Sequence, residues 1–221
     1  MPELPPPLPP ESRTVGQVIA ETIRAYGERF WVALPLGLPL AIADQVRIKQ
    51  TASVQAGVLW LCTPLFALAF VRGCSLLHGR KPTRTAFALA VVIWLPFPIL
   101  NAVYILPALA WLAFIGMAVP ASLVEGLGFR DALVRGRRLG TADYIHALGS
   151  LAALVIVIGV ADVTLSELLH SQSNTGSRVA VFGADLILSP MLYLGGALLY
   201  LDQAARVGSR RARLESKPKE R

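Results

Sequence analysis

The stretch TAFALAVVIWLPFPILNAVYILPALAWLAFIGMAVPASLV, residues 85–124, runs for 40 residues without a charged side chain. One helix that crosses a bilayer needs about 20 apolar residues, so the stretch is long enough for two. Three prolines (Pro96, Pro98 and Pro107) and the polar Asn101 lie near its middle and predict a turn between two spans. A soluble domain of 221 residues cannot bury so long an uncharged segment. The stretch therefore predicts an all-α integral membrane protein.

The composition of the whole chain also fits a lipid environment, since 54% of its residues are hydrophobic and only 16% are charged. Uncharged windows predict six transmembrane helices, near residues 30–46, 52–72, 86–101, 104–124, 144–162 and 179–201. The first is interrupted by Pro35 and Pro39, so a re-entrant segment is an alternative to a full crossing. The six spans predict one membrane domain, residues 13–205, between a disordered proline-rich leader, 1–12, and a disordered basic tail, 206–221.

The basic residues predict the orientation. If both termini are cytoplasmic, all of the 21 lysines and arginines except Arg47, Lys49 and Arg178 lie on the cytoplasmic side. Lysine and arginine accumulate on that side of membrane proteins. The sequence thus predicts a multi-pass protein of the bacterial inner membrane with both ends inside. The same distribution explains the net charge of +7 without a nucleic-acid partner.

Two cytoplasmic segments have the apolar spacing of amphipathic helices. The first lies around residues 14–30, where Thr14 and Gln17 predict a capping box at its start. The second, residues 128–139, turns Phe129, Ala132, Leu133 and Gly136 to one side and its arginines to the other. Such helices can lie in the headgroup plane with the apolar face in lipid; a structural elbow before the next span is the alternative. The candidate residues for anionic lipid headgroups are Arg130, Arg135, Arg137, Arg138, Arg210 and Arg211.

Polar residues inside the predicted spans are further candidates, because a charge near the bilayer centre costs at least about 2.5–3.5 kcal/mol. They are Asp162, Asp185 and Asn101. Asp162 and Asp185, with Asp44, could form an acidic vestibule for a cation or an amine; alternatively, Asp185 pairs with Arg178 and the other two reach water. Glu125 is expected to pair with an arginine of the helix that follows it.

Catalytic chemistry is not predicted. The three histidines, His78, His146 and His170, fall in separate loops or span ends, and no nucleophile elbow, P-loop or zinc-protease motif is present in the sequence. We expect no enzyme activity, no catalytic residue, no cofactor and no metal.

Three segments resemble the membrane domain that is attached to bacterial glycerophosphoryl diester phosphodiesterases, and its stand-alone multi-pass relatives. They are TVGQVIAETIRAYGERFWVAL (residues 14–34), VPASLVEGLGFRDALVRGRRLGTADYIHALG (119–149) and SPMLYLGGALLYLDQAARV (189–207), which contains the tyrosine-x-aspartate signature Tyr200 and Asp202. Gly136 departs from the resemblance, where relatives usually have serine, and so does Ala204, where they usually have arginine. The resemblance implies architecture only: the stand-alone relatives have no established activity, and the phosphodiesterase barrel is a separate domain that this chain is too short to contain.

These patterns lead to two hypotheses of function. The first is a non-enzymatic membrane protein that organises anionic lipids or a protein partner at the cytoplasmic face. The second is a transporter or channel for a small or lipidic solute, which the kinked spans and the outer acidic cluster favour. A cavity inside the bundle, and the residues that line it, would discriminate between them.

Overall fold

The computed structural model describes residues 9–47, 50–169 and 174–215, and it is 88% helical. The predicted leader up to residue 8, His170 and the last six residues of the predicted tail lie outside the described residues. The described helices are α1 Val15–Glu28, α2 Phe30–Ala33, α3 Leu38–Arg47, α4 Ala52–His78, α5 Arg84–Trp94, α6 Phe97–Val103, α7 Ile105–Ile115, α8 Ala118–Glu125, α9 Phe129–Gly140, α10 Tyr144–Leu169, α11 Asn174–Leu188 and α12 Pro190–Glu215. Short 3₁₀ turns at Pro10–Ser12 and Leu34–Gly37 precede α1 and α3.

Five helical stretches in the described residues are long and apolar enough to cross a bilayer. They are Ala52–His78, Arg84–Ala102, Ile105–Glu125, Tyr144–Leu165 and Arg178–Ala212, and they coincide with the second to sixth predicted spans. This confirms the all-α fold and fits an integral membrane protein. The first predicted span is not among the five, because Pro35 and Pro39 divide it into α2, a 3₁₀ turn and α3.

Proline does not break every helix in which it occurs. Pro96 and Pro190 lie at helix junctions, between α5 and α6 and at the first residue of α12, where the missing N–H has least effect. Pro64 instead lies inside the continuous helix α4.

Both predicted amphipathic helices form, as α1 and α9, and the capping box of Thr14 and Gln17 is confirmed. Part of each apolar face, however, packs on the bundle. In α1, Val18 and Thr22 are fully buried, and Thr22 approaches Gly195 of α12. In α9 the buried residues are Ala132, Gly136, Leu139 and Gly140. The buried part of each face fits the alternative of a structural elbow before the next span, whereas Ile23 and Phe129 stay exposed.

The close packing of α9 explains a departure from the resemblance. A Cβ atom added at Gly136 would lie 2.5 Å from the backbone N and 2.6 Å from the Cβ of Ala118 in α8. Real side chains do not approach so closely, so a serine does not fit here. Glycine at this position lets α8 and α9 pack backbone to backbone.

The C-terminal boundary also differs from the prediction. Residues 206–215, expected to belong to a disordered tail, continue α12 as helix. The His78 ring at the end of α4 lies 5.6 Å from the Tyr200 ring of α12, so both helices reach the same end of the bundle. We call this the basic end, because Arg206 and Arg210 follow Tyr200 there. Arg47 lies at the other end, since α4 begins five residues later and is about 40 Å long at 1.5 Å per residue.

Candidate functional site

A cavity of about 290 Å³ lies between the helices, with a lining drawn from α3 to α7, α10 and α12 and from the α7–α8 junction. Ligand pockets in proteins usually measure about 300–1,000 Å³, so its size is at the lower end of that range. Aliphatic and aromatic side chains form almost all of its wall. The polar exceptions are Arg47, Asn101 and the phenol of Tyr193.

The cavity is elongated along the helix axes. Three helices each line it over at least seven residues, from Ile105 to Leu112, from Leu151 to Ile158 and from Leu192 to Leu199. At 1.5 Å per residue each segment is about 10 Å long, roughly a third of the hydrocarbon thickness of a bilayer. Ile105 is 44% exposed, so the cavity borders the outer surface of the bundle on this side.

An aromatic cluster around Trp94 forms one wall of the cavity. The Trp94 ring stacks on Phe66 with centroids 5.6 Å apart, and lies 4.9 Å from Phe97 and 6.2 Å from Tyr193. Phe70 meets it edge-on at 6.4 Å. Aromatic pairs of this kind each contribute about 0.5–1.5 kcal/mol beyond the area they bury. The five aromatic side chains therefore pack against one another and do not fill the cavity.

Arg47 and Asn101 both line the end of the cavity that is remote from the basic end. The Arg47 Nη1 atom donates to Asp44 Oδ1 at 2.8 Å, and the two side chains are 23% and 30% exposed. Within the described residues, Arg47 makes no further side-chain hydrogen bond, and the side chain of Asn101 makes none. Two hydrogen-bonding side chains at one end of an apolar cavity match the usual construction of a ligand site.

The cavity does not correspond to the predicted acidic vestibule, because neither Asp44 nor Asp185 lines it. Asp185 is only 1% exposed and does not line the cavity, and Asp44 is paired with Arg47. Arg178, the expected partner of Asp185, donates from Nε to Gln45 Oε1 at 3.3 Å and from Nη2 to the Gln45 carbonyl at 3.1 Å. The side chain of Asp162 lies outside the described ones. Of the three predicted intramembrane polar residues, the structure places Asn101 at the cavity.

A buried ionic network closes the basic end. Asp202 is fully buried and accepts a hydrogen bond from Arg13 Nη1 at 3.0 Å. Arg206 donates to Asp143 Oδ2 at 2.7 Å and to the Arg13 carbonyl at 2.8 Å. Gln203 exchanges two 3.1 Å hydrogen bonds with the Asp143 backbone. The network joins the residues before α1 to the start of α10 and to α12, so its role is structural.

A second polar cluster lies beside this network. Tyr200 donates to Glu125 Oε1 at 2.8 Å, and Arg135 Nε donates to both oxygens of the same carboxylate at 2.8 and 3.0 Å. The predicted pairing of Glu125 with the following helix is thus confirmed. Arg135 is engaged inside the protein, whereas Arg137 lies over the Phe114 ring at 5.8 Å. Among the other predicted headgroup residues, Arg130, Arg138, Arg210 and Arg211 are exposed.

The sequence alone did not identify the cavity or the partners of Asp202. The aromatic wall of the cavity comes from five residues on four helices, and no spacing within a single segment reports such an assembly. For the ionic network the one available signal was the tyrosine-x-aspartate signature. Within the described residues, no three His, Cys, Asp or Glu side chains come together as a metal site.

Comparisons with protein-family models, with curated proteins and with solved structures give no match to this chain.

Proposed function

We propose that this protein binds a lipid or a lipid-like solute inside its helical bundle. The observation that carries the proposal is the elongated apolar cavity with Arg47 and Asn101 at one end. Its wall offers hydrocarbon and aromatic surface along about 10 Å of each of three helices, and polar groups only from Arg47, Asn101 and the phenol of Tyr193. A water-soluble cation or amine would lose its hydration along such a path without replacement contacts, so a polar-solute channel fits less well.

The size of the cavity supports occupancy. Unfilled apolar volume costs about 24 cal/mol per Å³ in protein cores, because the atoms around it lack contacts on one side. A hydrocarbon chain in the cavity restores the missing dispersion contacts. Since bilayer tails are as apolar as the wall, packing and the polar end, rather than hydrophobic transfer, select the occupant.

The proposal includes a membrane topology of six crossings in a bacterial inner membrane, with both termini cytoplasmic. The broken first segment, residues 30–47, would be the additional crossing. Its 18 residues are about 27 Å long at 1.5 Å per residue, close to the roughly 30 Å of hydrocarbon in a bilayer. The basic end then faces the cytoplasm, as the distribution of arginine and lysine favours. Membership in the phosphodiesterase membrane-domain family, without enzyme activity, remains part of this proposal.

Filling the cavity tests the proposal. Val155 and Leu112 line the cavity from facing helices, and we expect the double substitution Val155→Phe and Leu112→Phe to occupy it. The matched control is Val157→Phe, which places the same ring on the 44% exposed outer side of α10. Lipid extracted from the purified proteins should fall below one equivalent for the double variant and stay unchanged for the control. Equal lipid content in both would refute binding in the cavity.

A second function is favoured by a separate observation at the basic end. Arg130, Arg138 and Arg210 are exposed, although part of the apolar side of α9 is buried in the protein. Anionic lipid headgroups attract such residues by about 1 kcal/mol each. We infer that this end also binds an anionic leaflet. The triple change to glutamine should then remove the extra thermal stability of the protein in nanodiscs of phosphatidylglycerol relative to phosphatidylcholine; an unchanged difference would contradict it.

A further inference from the structure

We propose that the occupant of the cavity is an anionic amphiphile that inserts one hydrocarbon chain, with a carboxylate or phosphate head at Arg47 and Asn101. This inference rests on the proposed function and names the chemical class of its ligand.

The volume of the cavity limits the ligand to one chain. An apolar cavity of about 150 Å³ holds one benzene molecule, so 290 Å³ has room for roughly a dozen carbon atoms. This is one chain segment and not the two tails of a phospholipid. The wall is also rigid on the Trp94 side, where four aromatic rings surround the indole.

Arg47 determines the charge of the head. It is the one charged residue among the described residues that line the cavity, and its partner Asp44 does not line it. A guanidinium has five N–H donors. Nη1 is used by Asp44, and Nε is buried without a partner in the described residues, which leaves the Nη2 group for a ligand oxygen. The positive side of the pair therefore faces the cavity and favours an anion.

Asn101 adds a second group at the same end. It lines the cavity from α6, and its amide makes no hydrogen bond with the described residues, so it can donate to a head oxygen. A carboxylate and a phosphate monoester both offer charged oxygens that accept from a guanidinium and an amide together. An alcohol offers one neutral oxygen, and an ammonium offers no acceptor.

Fluorescence of Trp94 provides the test, because this ring lines the cavity. In a background with Trp31→Phe, Trp60→Phe and Trp111→Phe, Trp94 is the remaining tryptophan. The probes are ω-bromoundecanoate, ω-bromoundecyl phosphate, ω-bromoundecanol and ω-bromoundecylamine in detergent micelles, since bromine quenches an indole on contact. Saturable quenching by the two anionic probes should occur at concentrations about tenfold or more below those of the alcohol and the amine.

Two arginine variants separate site from general charge. Arg47→Gln should remove the preference for anionic probes while the alcohol still quenches, which also shows that the variant is folded. Arg178→Gln removes a positive charge from the same end of the bundle but not from the cavity, and it should keep the preference. A difference between the carboxylate and the phosphate probe would identify which head is bound.

The outcomes distinguish this inference from the function on which it rests. If no probe quenches Trp94 saturably, the proposed lipid binding fails. If all four probes quench equally, or if Arg47→Gln keeps the anionic preference, lipid binding stands and the anionic head is refuted. Tightest binding of the amine would refute it as well and would point to Asp44.

Discussion

Replacement of Asp202 by alanine should destabilise the bundle more than the loss of any exposed ion pair. Asp202 is fully buried, its partner Arg13 is 13% exposed, and their Nη1–Oδ1 distance is 3.0 Å. Removing one member of a buried pair costs about 3–5 kcal/mol, because the other charge remains desolvated. Since Arg13 retains some access to water, we expect a loss near the lower end, about 3 kcal/mol.

A double-mutant cycle isolates the interaction itself. Unfolding is followed by circular dichroism during titration of mixed micelles with a denaturing detergent at pH 7. For Arg13→Ala and Asp202→Ala we expect a coupling energy of about 2 kcal/mol, within the usual range for residues in contact. The matched control is the i,i+4 pair of Arg24 and Glu28, whose side chains are 62% and 60% exposed and should couple by about 0.3–0.5 kcal/mol.

A local readout accompanies the global one. The Arg13 carbonyl also accepts from Arg206, so the segment before α1 is held at two points. Loss of Asp202 removes one of them, and trypsin should then cleave after Arg13 faster than in the parent protein. The reasoning is refuted if the Arg13–Asp202 coupling is no larger than that of the exposed pair, or if cleavage after Arg13 is unchanged.

Three further outcomes are expected. Gly136→Ala should lower the free energy of unfolding by about 1–3 kcal/mol, because its Cβ would overlap Ala118. In the same titration Gly183→Ala, which has open space at its Cβ, should raise it by up to about 1 kcal/mol. Two effects of equal sign would contradict the packing of α8 on α9. Tyr200→Phe should lower the free energy of unfolding by about 1.5–3 kcal/mol, because it removes the hydrogen bond to Glu125. Tyr104→Phe, at a ring that is 76% exposed, should change it by almost nothing. Equal thermal unfolding temperatures of the two variants would be inconsistent with the Tyr200–Glu125 bond. In intact cells an impermeant maleimide should label Thr51→Cys, but it should label Arg210→Cys only after lysis. The native Cys62 and Cys74 are buried and provide the unlabelled background. The reverse pattern would invert the proposed topology.

The sequence by itself determined the solvent and the secondary structure of this protein. Forty uncharged residues between Arg84 and Glu125 exclude water as the surroundings, and a backbone in hydrocarbon must bond to itself, which leads to helices. The sequence also predicted the capping box of α1 and the partner of Glu125, because both depend on short chain separations. It did not predict that α12 continues through residue 215.

The tertiary structure decided which faces of the helices are buried and where a ligand fits. An apolar stripe on α1 or α9 has the same spacing whether it faces lipid or protein; the burial of Thr22 and Gly136 against other helices distinguishes the two. Likewise, Arg47 and Asn101 are far apart in the chain and are brought to one cavity by helix packing. Hydrophobic periodicity reports the environment of a single helix, while a site depends on the relative positions of several helices.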